Sequence, residues 1–188
     1  MLPNIEAIPV FTNHIYATNI IGVANKKDVL EEVEKGSGVS NKGGWQSIKY
    51  TKDDLPRSLE LLQSTSEQFS KEIYNHLGII ASPEILNMWV NASGPMSYNK
   101  KHKHPHSYLS VVYYLQVPDG SAPISFYRPD SLSDYFPSLK ANHNNMKVFE
   151  IEPKEGDLVA FPAYLEHSVE MSSFKNSEER ISIAMNYK

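Results

Sequence analysis

Short runs of alternating apolar and polar residues fill the chain from residue 83 onwards. Successive side chains of a strand point to opposite faces, so each run with a period of two predicts a β-strand with one buried face. Several short strands joined by turns are typical of an antiparallel sandwich or barrel. The predicted strands cover Glu84–Ala92, Tyr108–Val117, Ala122–Tyr127, Met146–Ile151, Asp157–Phe161, His167–Met171 and Arg180–Tyr187.

The earlier part of the chain predicts one or two opening strands and two helices. β-branched and apolar residues within Ala7–Ile21 favour a strand or two at a sheet edge. Apolar residues at helical spacing predict a short helix that begins near Asn25 and stops at Gly36, and a longer one that is capped by Asp54 and ends at Gly78. We therefore predict one domain over residues 1–188, mainly β (α+β), in which residues 1–82 support a β core formed by residues 83–188.

The composition excludes several classes of protein. The chain has no cysteine, which excludes disulfides, thiolate nucleophiles and cysteine-ligated zinc or iron–sulfur sites. A net charge of -4 gives no basic field for a phosphate backbone, so we predict no nucleic-acid partner. No apolar run reaches the length of a membrane span and the first residues lack a secretory pattern, so we expect a cytoplasmic protein with no membrane partner.

Three histidines are candidate metal ligands. Alternate residues of an extended segment face the same way, so His102 and His104 can present both imidazoles to one ion. A third ligand must come from another strand, and His167 begins one of the predicted strands. Glu166 could ligate only if that strand slipped by one residue, which would turn His167 away. Imidazole is the commonest protein ligand for a first-row transition metal, so this set predicts a metal centre.

The last predicted strand carries a candidate anion site. Its even positions, which include Arg180 and Ser182, share one face with small or polar neighbours. An inward arginine needs an anionic partner because a buried, unpaired guanidinium is costly, and a carboxylate is the natural one. Tyr114 lies on the polar face of another strand and could donate a hydrogen bond to the same carboxylate.

Five motifs, taken in order, resemble a family of 2-oxoglutarate and Fe(II)-dependent oxygenases from phages and bacteria that is related to the prolyl hydroxylases. The motifs are Ser40-Asn-Lys-Gly-Gly-Trp-Gln-Ser47, His102-x-His-Pro-x-Ser-x-Leu-Ser-x-Val-Tyr-Tyr-Leu115, Gly156-Asp-Leu-Val-x-Phe-Pro162, His167 and Arg180-x-Ser182. Together they span nearly the whole chain.

The resemblance implies a fold, a reaction and a set of roles. The fold is a double-stranded β-helix (a jelly roll, cupin-like), and the reaction is hydroxylation of an unidentified peptide or small molecule. The cofactors are Fe(II), 2-oxoglutarate and O2, and ascorbate is compatible with them. Carried across residue by residue, the catalytic metal ligands are His102, His104 and His167; the 2-oxoglutarate contacts are Tyr114, Arg180, Ser182 and Asn91, with Tyr98 beside the site.

One position departs from the family pattern. The usual facial triad has two histidines and one carboxylate, whereas residue 104 is a histidine. Either His104 is the third ligand, or water or another anion completes the coordination shell. Two other functions remain open from the sequence: a three-histidine cupin-type dioxygenase that does not use 2-oxoglutarate, and a non-catalytic β-sandwich that binds a partner.

Overall fold

The computed structural model describes residues 12–38, 40–130, 140, 142–174 and 178–188. Within these residues the chain forms two α-helices, one 3-10 turn and twelve strands. The helices are α1 (Lys26–Glu32) and α2 (Glu60–Leu77), and the 3-10 turn (Arg57–Leu59) directly precedes α2. The strands are β1 (Tyr16–Asn19), β2 (Lys35–Gly36), β3 (Asn41–Lys42), β4 (Trp45–Ser47), β5 (Ile85–Ser93), β6 (Tyr98–His102), β7 (Leu109–Gln116), β8 (Ile124–Tyr127), β9 (Val148–Ile151), β10 (Asp157–Pro162), β11 (His167–Val169) and β12 (Arg180–Tyr187).

The strands form two antiparallel sheets. The large sheet has the order β1-β10-β7-β12-β5-β4-β2, and the small sheet has the order β3-β6-β11-β8-β9. The centre of the large sheet is the triplet β7-β12-β5, in which β12 pairs with both neighbours over nearly its full length. This arrangement agrees with the predicted mainly β class, and all seven predicted strands are present with ends shifted by a few residues.

The large sheet buries a different cluster on each face. Its outer face packs against the helices through a cluster that includes Leu62 and Tyr74 of α2. Its inner face packs against the small sheet, where the rings of Phe126 and Phe161 lie 4.9 Å apart between centroids. Each fully buried large apolar side chain stabilises the fold by about 1.5–3 kcal/mol, so both interfaces hold the central strands in place. The helices therefore support the sheet.

The helix ends differ in detail from the sequence prediction. Asn25 caps α1 by accepting hydrogen bonds from two backbone N–H groups, but α1 ends at Glu32 rather than at Gly36. The C-terminus of α2 is as predicted, because Gly78 adopts the left-handed conformation (φ 70°). The prediction that Asp54 caps this helix is wrong. Its carboxylate accepts from the Thr51 backbone N–H and hydroxyl, and α2 starts only after the 3-10 turn.

The sequence analysis missed β6 and the three short strands β2, β3 and β4. The β6 sequence, Tyr-Asn-Lys-Lys-His, has no apolar alternation, and it becomes a strand because β11 and β3 pair with its two edges. Part of the predicted strand within Ala7–Ile21 lies outside the described residues, and β1 accounts for the rest. None of the described helices combines the length and apolarity that crossing a membrane requires.

Candidate active site

The three histidines meet where β6 ends and β11 begins in the small sheet. Each offers a ring nitrogen, and these atoms all lie within 4.8 Å of one another. His102 ends β6 and is the register partner of His167, the first residue of β11. His104 follows β6 and is fixed by a backbone hydrogen bond from its N–H to the carbonyl of Ala163 (3.0 Å). The structure thus brings together the three predicted ligands from two segments that are distant in sequence.

Backbone carbonyls determine which nitrogen of two of these rings faces the common point. The carbonyl of Lys100 lies 2.6 Å from His102 Nδ1, and the carbonyl of Leu165 lies 3.0 Å from His167 Nδ1. A carbonyl oxygen only accepts, so both Nδ1 atoms carry a hydrogen. The Nε2 atoms of these rings therefore keep their lone pairs, as metal ligation through Nε2 requires.

Burial keeps the imidazoles neutral. The pKa of His104 is lowered to about 3, first by burial and then by the neighbouring imidazoles and Lys49. The pKa of His167 is lowered to about 4, mainly by burial and further by His102. Burial also lowers the pKa of His102, although the Lys100 carbonyl opposes this shift. Neutral imidazole is the form that binds metals, so the site is in its ligating protonation state at neutral pH.

The alternation of side chains along the chain turns the neighbouring acidic residue away from the three histidines. Glu166 precedes His167 and faces the other way, where its carboxylate lies 3.2 Å from Lys101 Nζ. His106 is exposed with a positive φ of 69° in the turn before β7, and it does not belong to the cluster. Among the described residues, the candidate metal cluster contains only imidazoles.

A buried arginine lies on the inner face of the large sheet. Arg180 is 5% exposed, and its Nη1 donates to the carbonyl of Ala122 at 2.9 Å. No carboxylate in the described part of the chain forms a salt bridge with it. Its guanidinium carbon lies 5.7 Å from the ring centroid of Tyr114, whose buried hydroxyl has no hydrogen-bond partner among the described residues. Burial lowers the pKa of Arg180 and raises the pKa of Tyr114.

The other predicted contacts of the anion site lie in the same region of the sheet. Ser182 pairs in register with Tyr114 on one side and with Asn91 on the other, so the three residues form one row across β7, β12 and β5. All three are buried. Tyr98 is half-buried at the start of β6 and pairs with Lys42.

A second row of polar residues was not predicted from the sequence. Asn87, Asn186 and Ser110 lie in register on β5, β12 and β7. The Asn186 amide comes within 3.5 Å of His104 Nδ1. Trp89 lies in the adjoining row, with its ring centroid 5.7 Å from that of His104. The sequences of β5 and β12 contain a signal for this row, because residues two apart in a strand share a face and these polar residues alternate with apolar ones.

Comparison with known proteins gives a family and a fold. The model of a 2OG-Fe(II) oxygenase family matches residues 87–186, which is more than half of the chain. The matched range includes His102, His104 and His167 and the whole of β6 to β11. No curated protein sequence matches the chain.

Solved structures with the same fold include three oxygenases. One is an oxidoreductase of the 2OG-Fe(II) oxygenase family from Burkholderia pseudomallei (TM-score 0.62, 15% identity, covering 87% of this chain and 76% of that chain). Another is a prolyl-4-hydroxylase from Pseudomonas putida (TM-score 0.58, 14% identity, covering 87% of this chain and 80% of that chain). The third is a prolyl hydroxylase from Trichoplax adhaerens, solved with a peptide fragment of the hypoxia inducible factor oxygen degradation domain. Its TM-score is 0.62 and its identity 18%, and the match covers 94% of this chain and 84% of that chain. These similarities confirm the predicted double-stranded β-helix.

Proposed function

Because this chain belongs to the 2OG-Fe(II) oxygenase family, we propose that its histidine cluster and buried arginine form one active site that hydroxylates a peptidyl substrate. In this proposal His102, His104 and His167 hold Fe(II). Arg180, Tyr114 and Ser182 bind the distal carboxylate of 2-oxoglutarate, and Asn91 lies in the same row.

The donor set fits Fe(II). Three neutral imidazoles would hold the ion and leave coordination positions for a chelating co-substrate and O2. When bound, the iron couples oxidation of 2-oxoglutarate by O2 to oxidation of the substrate. Among the described residues no carboxylate joins the three imidazoles, so these ligands add no negative charge, and a bound 2-oxoglutarate dianion would supply it.

The arginine and tyrosine fit a carboxylate, and this observation carries the proposal. A buried cation without an anion and a buried hydroxyl without a partner are each costly. A carboxylate between them would accept hydrogen bonds from both groups and would neutralise the cation. Their common position on the inner face of the large sheet favours a small anion that binds on the same side of that sheet as the histidines.

The surrounding residues position the reactants and exclude water. Phe126 and Phe161 lie against the ring of His167, with centroids 6.3 Å and 4.7 Å away, and both belong to the inner cluster. An apolar wall lowers the local dielectric, which strengthens the bond between Arg180 and a carboxylate. Backbone bonds to the Nδ1 atoms hold the His102 and His167 rings in fixed orientations.

The peptidyl substrate is an inference by analogy. Two structures of the same fold are named prolyl hydroxylases, and one of them holds a peptide fragment. Fold similarity shows the fold and not the substrate, so the test must identify the modified residue. Incubation of the iron-loaded protein with proline-containing peptides, 2-oxoglutarate and O2 should add one oxygen atom to a peptide, as measured by tandem mass spectrometry.

The metal and co-substrate roles have a separate test that needs no substrate. We expect anaerobic protein with Fe(II) and 2-oxoglutarate to develop a visible charge-transfer band, and Arg180→Ala to abolish it at co-substrate concentrations that saturate the wild type. Arg57→Ala is the matched control because Arg57 is exposed on the 3-10 turn of the support region. Iron binding with no band in the wild type would indicate a dioxygenase that does not use 2-oxoglutarate. Failure to bind iron would refute the enzymatic proposal.

A further inference from the structure

One of the three imidazoles has its second ring nitrogen facing a side chain instead of a backbone carbonyl. His104 Nδ1 lies 3.5 Å from Asn186 Nδ2. Asn186 is 4% exposed and belongs to a continuous polar row. Its amide nitrogen donates to Asn87 Oδ1 at 3.0 Å, and its amide oxygen accepts from the Ser110 hydroxyl at 2.8 Å. The orientation of this amide is therefore set by partners on both neighbouring strands.

The two ring nitrogens of His104 face different groups. Its Nε2 lies 3.2 Å from Nε2 of His167, within the cluster that we assign to the metal. Its Nδ1 faces the amide nitrogen of Asn186. His167 donates through Nδ1 to the Leu165 carbonyl, so the lone pair of its Nε2 is free to bind a metal.

Metal ligation through Nε2 fixes the tautomer of His104. Nε2 can bind a metal only when its lone pair is free, and the neutral ring then carries its hydrogen on Nδ1. That hydrogen requires an acceptor. An asparagine amide can exchange its oxygen and nitrogen by a half-turn at almost unchanged shape. After such a turn, Asn186 Oδ1 would accept from His104 Nδ1 and from a turned Asn87 amide, while Asn186 Nδ2 would donate to Ser110 Oγ.

We propose that Asn186 is a positioning residue that sets the tautomer of His104. With its amide oxygen towards His104, Asn186 accepts from the Nδ1 hydrogen and leaves the Nε2 lone pair for the metal. Asn87 and Ser110 keep a hydrogen bond to Asn186 in either orientation of its amide.

This inference rests on the proposed iron site and adds a property to it. His102 and His167 are preset for ligation by main-chain carbonyls, whereas His104 depends on a rotatable side chain. His104 also occupies the position of the carboxylate in the usual triad. A hydrogen-bond acceptor behind a ligating imidazole raises its basicity, so Asn186 would partly compensate for the missing charge.

The test measures binding of Co(II) alone to the full-length protein. We expect Asn186→Leu, which has a similar volume but no acceptor, to weaken Co(II) binding about 10–100-fold, the usual effect of removing a hydrogen-bond partner of a metal ligand. Asn186→Asp, which can only accept when ionised, should bind Co(II) at least as tightly as the wild type. Circular dichroism and thermal melting in a chelator check that both variants are folded.

A double-mutant cycle identifies the route of the effect. In a His104→Ala background, Asn186→Leu should change Co(II) affinity by less than twofold, because the residue through which it acts is absent. An equal loss in both backgrounds would overturn the proposal, and so would unchanged affinity in a folded Asn186→Leu protein that has wild-type His104. If the wild type itself binds no Co(II), the proposed metal site fails instead.

A spectroscopic readout remains if the leucine variant does not fold. In Zn(II)-loaded protein with 15N-labelled histidine, the Nδ1–H proton of His104 should be protected from solvent exchange. In Asn186→Asp its resonance should move downfield, because a carboxylate is a stronger acceptor than an amide. An unchanged resonance would show that this side chain does not contact the ligating ring, and the proposal would be wrong.

Discussion

Removal of the Tyr114 hydroxyl should stabilise the protein and weaken co-substrate binding. This hydroxyl is buried with no hydrogen-bond partner among the described residues, on a side chain that is 1% exposed. A buried unsatisfied group costs about 1–3 kcal/mol, so Tyr114→Phe should raise the free energy of unfolding of the ligand-free protein by about 1 kcal/mol. For a chain of this length that corresponds to an increase in Tm of about 2–4 °C.

The same change should weaken 2-oxoglutarate binding. A hydrogen bond to a charged group contributes about 1.5–3 kcal/mol, which is about 10–100-fold in Kd. The assay combines thermal melting in the presence of a chelator with titration of 2-oxoglutarate into anaerobic Fe(II)-loaded protein. A lower Tm together with unchanged affinity would refute the proposed role of Tyr114.

Tyr74→Phe is the matched control for this experiment. The Tyr74 hydroxyl is also buried and has no hydrogen-bond partner among the described residues, but Tyr74 lies in α2 and belongs to the outer cluster. Its removal should raise the stability by a similar amount and leave the Kd for 2-oxoglutarate unchanged. Loss of affinity in both variants would show that Tyr114→Phe weakens 2-oxoglutarate binding indirectly.

Three further outcomes follow from the fold and the site. Leu62→Ala, in the outer cluster, should lower the free energy of unfolding by about 2–5 kcal/mol, measured by urea denaturation, without changing the 2-oxoglutarate affinity of the folded fraction. His104→Asp should bind Fe(II) at least as tightly as the wild type in competition with a chromogenic chelator, because it supplies the anionic ligand; weaker binding would contradict the assigned position. Removal of metal by a chelator should abolish 2-oxoglutarate turnover, and Fe(II) but not Zn(II) should restore it, since zinc has no redox chemistry.

The sequence predicted the central strands because their alternation has a direct physical cause. In β12, Ile181 and Ile183 face the outer cluster, while Arg180 and Ser182 face inwards, as a period of two requires. The same reasoning placed Glu166 on the side opposite His167. Inward-facing polar residues in an apolar strand are rare enough to stand out, which made this part of the candidate site visible from the sequence.

Elements held by tertiary contacts were not visible. The strand that ends at His102 is polar throughout and exists because neighbouring strands pair with it. The contact between Asn186 and His104 joins residues 82 positions apart, and asparagine gives no local signal of its partner. The prediction that Asp54 caps α2 failed because nearer donors, the backbone N–H and hydroxyl of Thr51, occupy its carboxylate.

The position of a bound metal tests the central claim most directly. Crystals grown anaerobically with Mn(II) in place of Fe(II) and with 2-oxoglutarate would locate the ion by its anomalous scattering. We predict one strong peak bonded to Nε2 of His102, His104 and His167, chelated by 2-oxoglutarate whose far carboxylate contacts Arg180 and the Tyr114 hydroxyl. A peak that lacks any of these three imidazoles, or a 2-oxoglutarate carboxylate that does not reach Arg180, would contradict it.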